Sequence, residues 1–444
     1  MNIIIACITL IILVLLIIRQ IQIWKVRVLI SPAFYFAGIW SLGTLSLFIF
    51  TAAGVQVDTY PQYMNELNMY IAFTGLCFLY FTKKSRDKIQ DNSIIDFNFM
   101  PSLALYKWLC MFVAIAAIIE FIKLGGNLNM GYAREHVHEI QENRSTLTSY
   151  ATVLSNVLSI WAGHKLIKEL SYSAKNKWYR LIWLFVPLIA NLIMSINVGG
   201  RVDIFFSFMC YLIGIGLALP ININLNKFRK PILAISIVAI SIMGFISFVS
   251  KQRANYYNDY NVARIYIENN YPLLSPLYGA IEYCNAQYKG YEYRRVDAVD
   301  LNNLGYGRYT FNGFINWTLP FSSQIGLNDV SIAKICGIYY NNQETYDFQR
   351  EYYQSTHSCY LTMVKDFGVY GAFFCVFFLV FISHQLFIKI QQRKNINKAC
   401  SLFLFYIFLS YWQHSNFYGT LSSTILIPLY GFLIIDLFTI KIKC

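Results

Sequence analysis

One histidine, followed closely by an acid and two glycines, is the first group of residues that could carry out chemistry. The two halves of this run are Thr356-His357-Ser358-Cys359-Tyr360-Leu361 and Lys365-Asp366-Phe367-Gly368-Val369-Tyr370-Gly371. A strongly apolar stretch follows, so His357 would lie at a membrane surface, where an imidazole can take a proton from a hydroxyl near neutral pH. A lone histidine is more often structural, and spacing alone leaves both interpretations open. Gly368 and Gly371 would let the entering helix pack closely.

A short turn of two glycines followed by an arginine is the second candidate. Residues 197–203 read Asn-Val-Gly-Gly-Arg-Val-Asp and separate two apolar stretches. Gly199 and Gly200 permit a tight turn, which leaves Arg201 near the N-terminus of the following helix. A guanidinium beside free helix N–H groups forms an anion site suited to phosphate oxygens. The alternatives are that Arg201 reaches lipid headgroups or pairs with Asp203.

Further arginines follow the eighth apolar stretch. Ser250-Lys251-Gln252-Arg253 leaves that stretch, and Arg264 comes shortly after it. Arg253 and Arg264 could face Arg201 across a shared cavity and complete a diphosphate clamp. Ordinary charged flanks of a helix end explain them equally well. The second-tier candidates for substrate binding are Gly200, Arg294, Arg295, Arg308 and Tyr360.

The patterns that would indicate a metal or a nucleotide are poor. Residues 135–139 read Glu-His-Val-His-Glu, but histidines two positions apart face different sides of a helix, so a solvated loop is the better interpretation. The sequence has no Asp-x-Asp pair, no Cys-x-x-Cys pair and no phosphate-binding GxxxxGK[ST] loop. We therefore expect neither a metal nor a cofactor.

The elements that must position these residues are apolar. The chain has 444 residues, of which 57% are hydrophobic and 13% charged, and its mean hydropathy is +0.45. Soluble domains carry about 25% charged residues, so the composition excludes an ordinary soluble enzyme. About 20 apolar residues form a membrane-spanning helix. Eleven such segments are predicted, at 3–18, 32–53, 65–82, 103–122, 148–166, 180–197, 202–220, 232–250, 368–388, 400–413 and 421–438.

The formal charge of +13 distributes unevenly between the two predicted sides. One set of loops carries 22 basic and 5 acidic residues, whereas the other carries 14 basic and 18 acidic ones. The basic side faces the cytoplasm by the positive-inside rule. The chain is therefore predicted to be an all-α polytopic membrane protein with its N-terminus outside and its C-terminus inside. The basic charge orients the chain in a membrane and does not indicate a nucleic-acid partner.

A single external loop is out of proportion to the others. It divides the chain into helices at 1–250, a loop subdomain at 251–366 and further helices at 367–444. Of the 34 tyrosines, 18 lie within 251–360. Rings with a polar tip suit a wet interface and the faces of a sugar, although an aromatic belt at the headgroup level is the alternative for any single tyrosine. We expect short helices in this loop.

These features together resemble the Wzy-type O-antigen and capsule polymerases. The shared features are about eleven spans, an external Gly-Gly-Arg turn, one long external loop before the last spans, and the His357 to Gly371 run. The related O-antigen ligases have a similar run, but more often with asparagine where this chain has Ser358. The resemblance covers most of the chain by topology and about 25 residues by motif.

The resemblance implies a metal-independent glycosyl transfer without a cofactor. A glycan linked to undecaprenyl diphosphate would be transferred to a lipid-linked repeat unit on the periplasmic face of a bacterial inner membrane. Arg201 and Arg253 would stabilise the departing diphosphate, and His357 would take the proton of the acceptor hydroxyl. Membrane lipid and a chain-length regulator protein are the further partners that the family implies.

Two other functions remain open from the sequence. An O-antigen ligase would use the same donor. A flippase for lipid-linked oligosaccharide would carry charges within its spans and short external loops. The long loop of this chain favours chemistry at the membrane surface over transport.

Overall fold

The computed structural model describes residues 3–54, 60–85, 103–123, 146–172, 178–198, 202–220, 233, 236, 244–245, 248, 252, 262–272, 278, 281, 284–285, 287–288, 290–292, 295, 301, 304–307, 310 and 358–391. Helices account for 93% of the structure, and none of these described residues lies in a strand. The prediction of an all-α chain is therefore confirmed for this part of the sequence.

Nine α-helices and one 3₁₀ helix are bounded within these residues. In chain order they are α1 (Ile3–Trp24), the 3₁₀ helix (Lys25–Ile30), α2 (Pro32–Ala52), α3 (Pro61–Ser85), α4 (Leu103–Lys123), α5 (Thr146–Tyr172), α6 (Trp178–Val198), α7 (Val202–Ala218), α8 (Val262–Asn270) and α9 (Cys359–Gln391). The predicted segments up to 202–220 and the one at 368–388 coincide with helices. The segments at 400–413 and 421–438 lie outside the described residues.

Four helices of the described part are long and apolar enough to cross a membrane. They are Ile3–Ile30, Pro32–Ala52, Leu103–Lys123 and Cys359–Ile388, and Leu181–Ile196 and Ser207–Ala218 are shorter apolar helices. The helices α3 and α5 are less apolar because each carries a row of polar side chains that it buries against its neighbours. Polar residues of this kind are rare in membrane helices and usually face the protein interior.

The helices pack in two groups. In the first, α1 contacts α2 and α3, and α9 packs on α3; in the second, α5 and α6 contact each other and each packs on both α4 and α7. The 3₁₀ helix joins the groups because it packs on α7. A Cβ added to Gly216 of α7 would lie 2.7 Å from Ile30 Cγ2 and 3.2 Å from Leu29 Cβ, so this junction requires a residue without a side chain.

Interhelical hydrogen bonds define two ends of the first group. At one end, Gln20 donates to Thr82 (2.8 Å) and Arg27 donates to Gln391 (2.8 Å). We call this the Arg27 end. At the other, which we call the Glu66 end, α3 begins and side chains of the segment 278–295 reach the bundle. Successive helices α1, α2 and α3 thus alternate in direction.

Glycine brings α5 and α7 into backbone contact. A Cβ on Gly163 would overlap the carbonyl oxygen of Tyr211 and lie 3.1 Å from the amide nitrogen of Ile215. A Cβ on Gly214 would overlap the carbonyl oxygen of Ile160 in the same way. Small residues at facing positions allow membrane helices to approach this closely.

We predict that Gly163→Ala lowers stability by about 1–3 kcal/mol, because the added methyl group has no space between the two backbones. Gly38→Ala is the matched control, since no described heavy atom lies within 4 Å of that added Cβ; it should raise stability by up to about 1 kcal/mol. Thermal unfolding of the detergent-solubilised protein measures both. Equal effects at the two positions would contradict the close contact.

Candidate functional site

An ion pair between the bundle and the long loop lies at the centre of the Glu66 end. Arg295 Nε donates to Glu66 Oε1 at 3.0 Å, and the two side chains are 6% and 13% exposed. Tyr291 OH donates to the same carboxylate oxygen. The Arg295 guanidinium lies over the Tyr63 ring, with 5.0 Å from Cζ to the ring centroid. Charge, hydrogen bonds and a cation–π contact thus hold the loop on α3.

Two buried tyrosines continue this cluster into the bundle. Tyr288 OH donates to Asn68 Oδ1 (3.2 Å) and shares a hydrogen bond with Thr44 Oγ1 (2.8 Å). Tyr360 OH shares a hydrogen bond with Thr74 Oγ1 (2.8 Å), and its ring stacks on Tyr70 with 5.6 Å between centroids. Since a buried hydroxyl without a partner is costly, these bonds fix which tyrosine meets which helix.

Segment 278–295 packs tightly on α2. A Cβ on Gly43 would lie 3.0 Å from Tyr288 Cε2 and 3.5 Å from the carbonyl oxygen of Cys284. Asn285 Nδ2 donates to Ser46 Oγ at 3.0 Å. The described residues of this segment are helical, and the prediction of short helices in the long loop is also met by α8. Cys284 is buried and unbridged.

The helix α9 is broken where its apolar part begins. Gly368 has φ 70° and ψ 178°, a left-handed backbone that glycine adopts without a steric cost. No described atom lies within 4 Å of a Cβ added there. The sequence predicts that this glycine serves close helix packing; the structure instead shows that the break requires it.

The break exposes backbone carbonyls that a second part of the loop binds. An unbroken helix would use the carbonyls of Lys365 and Asp366 for its next turn. Here Lys365 O accepts from Gly305 N and Asp366 O accepts from Tyr306 N, both at 3.1 Å. The fully buried Asp366 carboxylate accepts from Thr310 N. The motif residues 365–368 therefore anchor the turn at 304–310.

The electrostatics of the cluster keep Arg295 charged and Tyr291 neutral. Burial would lower the pKa of the Arg295 guanidinium, but its hydrogen bond and charge interaction with Glu66 outweigh burial and raise that pKa overall. Burial, and then the nearby Glu66 carboxylate, raise the pKa of Tyr291 well above its usual value. An uncharged phenol can donate to the carboxylate, which a phenolate could not do.

The predicted site residues fall mostly outside the described part of the chain. His357, Arg201, Arg253, Gly200, Arg294 and Arg308 lie outside it, and of Arg264 only the backbone is described, within α8. Tyr360 is fully buried and bonded within the bundle. Arg295 is paired with Glu66. The structure thus describes the support of the predicted site rather than its proposed catalytic groups.

Glu66 is the important residue that sequence reasoning missed. A usable signal existed, because Glu66 and Asn68 stand within the predicted span 65–82, and such polar residues in a membrane-spanning segment need partners within the protein. Their partners, Arg295 and Tyr288, are more than two hundred residues away in the sequence.

The described residues contain no group of three or more histidine, cysteine, aspartate or glutamate side chains that could hold a metal ion. The fold and the cluster define a helical bundle with apolar helices of membrane-spanning length, and described residues of a tyrosine-rich loop pack at one of its ends. The chain matches no family model, no curated protein and no solved structure.

We predict that Glu66→Ala lowers the free energy of unfolding by about 3 kcal/mol, because it leaves the buried Arg295 charge without its partner. In Glu66→Ala/Arg295→Met the loss should be smaller than the sum of the two single losses. The exposed Glu268→Ala is the control and should change stability by less than about 0.5 kcal/mol. Additive losses in the double variant would show that the pair is not coupled.

The raised pKa of Tyr291 predicts that the protein loses stability at alkaline pH. Its pKa is raised in the folded state, so its contribution is complete below its unfolded pKa of about 10 and declines as the pH rises above that value. Tyr291→Phe should be less stable near neutral pH, because it lacks the bond to Glu66, but its stability should decline less steeply above pH 10. Equilibrium unfolding across that range measures both slopes, and identical slopes would contradict this prediction.

Proposed function

We propose that this protein joins lipid-linked oligosaccharide repeat units into O-antigen or capsule polysaccharide, as a Wzy-type polymerase. Undecaprenyl diphosphate would carry both the donor and the acceptor glycan. The proposal includes about eleven membrane-spanning helices, an N-terminus in the periplasm and a C-terminus in the cytoplasm of a bacterial inner membrane. The Glu66 end would then face the periplasm.

The observation that carries this proposal is the rigid attachment of the segment that follows His357. Tyr360 is bonded to Thr74 and stacked on Tyr70, and Asp366 binds the turn at 304–310. A catalytic base is effective only when it is held in a fixed geometry. A histidine next to a segment anchored in this way is therefore well suited to act as a base. The motif residues Tyr360 and Asp366 would serve to hold that segment in place.

In this reaction the protein must hold the diphosphate, stabilise the charge of the departing diphosphate and take the proton of the acceptor hydroxyl. The acceptor hydroxyl oxygen attacks the anomeric carbon of the donor, the bond from that carbon to the diphosphate breaks, and the proton passes to His357. Arg201 and Arg253, with Arg264 as a further candidate, would stabilise the diphosphate that leaves with the bonding electrons. Because the donor is already activated, neither a nucleotide nor a metal is required.

The Glu66 end would support a glycan site by holding the long loop in place, because its own carboxylate, guanidinium and phenol groups are largely buried and bonded to one another. The long loop that supplies Tyr291 and Arg295 is closely packed on α2 and α3. A ligase would share this chemistry and differ in its acceptor, so the product distinguishes the two enzymes.

We predict that a strain without this gene makes glycan with a single repeat unit on its lipid anchor. The reason is that assembly and export of one unit do not need the polymerase. Electrophoresis of the extracted glycan measures the ladder. A full ladder in this strain would exclude a polymerase, whereas no glycan attached to the final acceptor at all would indicate a ligase or a flippase.

We predict that His357→Ala and Arg201→Ala each abolish chain extension when they are expressed in that strain. Normal amounts of both variants in the membrane fraction are part of the expected result, because the roles proposed for the two side chains are directed at the substrate and not at the fold. Glu268→Gln changes an exposed residue of α8; it is the control and should restore the full ladder. Unchanged ladders with both variants would refute their assigned roles.

A further inference from the structure

Tyr306 has a backbone conformation that disfavours its own side chain. Its φ is +51°, and Gly307 follows with φ +92°. Left-handed backbone is unfavourable for residues other than glycine and asparagine, because their Cβ approaches the neighbouring carbonyl. Two consecutive left-handed residues form a turn in which the second position is glycine, as expected, and the first is a tyrosine.

Packing does not explain the tyrosine. Tyr306 is 82% exposed, whereas Gly305 and Gly307 on either side of it are buried. Seven tyrosines of the long loop have a described environment: Tyr266, Tyr271, Tyr278, Tyr288, Tyr291, Tyr306 and Tyr360. Four of them are buried, and Tyr306 is the most exposed of the seven. Its ring therefore adds nothing to the core that could offset the strain of its backbone.

The turn is nevertheless held firmly. Gly305 and Tyr306 donate their N–H groups to the carbonyls that the break in α9 leaves free, and Thr310 N binds the Asp366 carboxylate. The ring thus projects from a fixed backbone beside the segment that follows His357. Strain that the surrounding structure maintains is found most often at functional sites.

We propose that the exposed ring of Tyr306 is a stacking platform for a sugar ring of the growing glycan. A pyranose presents a face of C–H groups that packs on an aromatic ring, while its hydroxyls stay in water, which matches a tyrosine with one wet end. This inference rests on the proposed function and names a contact for its substrate.

A lipid interface is the other surface that attracts tyrosine. Tyrosines of an aromatic belt are held there by partition of the ring between headgroups and acyl chains. Partition requires no particular backbone conformation, so it leaves the left-handed turn and its three hydrogen bonds unexplained. A binding site, in contrast, gains affinity when the group is held in place before the ligand arrives.

The test uses one substitution that separates strain from binding. Tyr306→Asn removes the ring and introduces a residue that tolerates left-handed backbone. We expect its melting temperature to be higher than that of the wild type, and its affinity for glycan to be about two- to twelvefold lower. Tyr306→Trp should keep the affinity. Tyr271→Asn is the matched control, because Tyr271 is an exposed tyrosine of the same loop without positive φ. This substitution should neither raise the melting temperature nor lower the affinity for glycan.

The probe is the oligosaccharide released by mild acid from the lipid-linked single units of the deletion strain. Titration of the purified full-length protein in detergent gives the affinity, and thermal unfolding gives the melting temperature. If Tyr306→Asn binds glycan with the affinity of the wild type, the stacking platform is overturned. That result would also hold if the ring contacts lipid instead of sugar. A lower melting temperature in Tyr306→Asn would overturn the stacking platform as well, because the tyrosine would then be structural. Failure of the wild type to bind would contradict the proposed function itself.

Discussion

The need to pair polar groups within an apolar bundle is the constraint on which the rest of this structure depends. Glu66 is the clearest case, since its carboxylate is nearly enclosed and takes bonds from both Arg295 and Tyr291. Removing one member of a buried ion pair lowers the stability by far more than the intact pair contributes to it. Its importance therefore lies in specificity: it selects one docking position for a loop of more than a hundred residues on α3.

The same constraint explains the break in α9. The last carbonyls of a helix need hydrogen-bond donors from outside the helix. At the break in α9, the amides of Gly305 and Tyr306 are these donors. The motif acid, Asp366, completes this contact by binding Thr310 N. Among the described residues, the loop thus contacts the bundle in two regions. The helix α8 lies on α2, segment 278–295 lies on α2 and α3, and Gly305, Tyr306 and Thr310 bind α9.

The sequence predicts the helices better than their contacts. The apolar segments of the sequence coincide with most of the described helices, because the hydropathy of a segment can be calculated without knowing what the segment contacts. The helix α9 begins at Cys359, before the apolar segment, since its first turns are stabilised by Thr74 and the loop rather than by apolarity. The pairing of Glu66 with Arg295 could not be predicted, because nothing in one sequence links residues so far apart. The roles of His357 and Arg201 stay predictions.

The central claim is a metal-independent polymerisation by this chain alone, and reconstitution tests it most directly. Purified protein would be given a synthetic oligosaccharide repeat unit on undecaprenyl diphosphate, with and without EDTA, and the products separated by size. The account predicts products of two or more units, released lipid diphosphate and equal yields in the two conditions. Products that stay at one unit, or extension that EDTA abolishes, would contradict it.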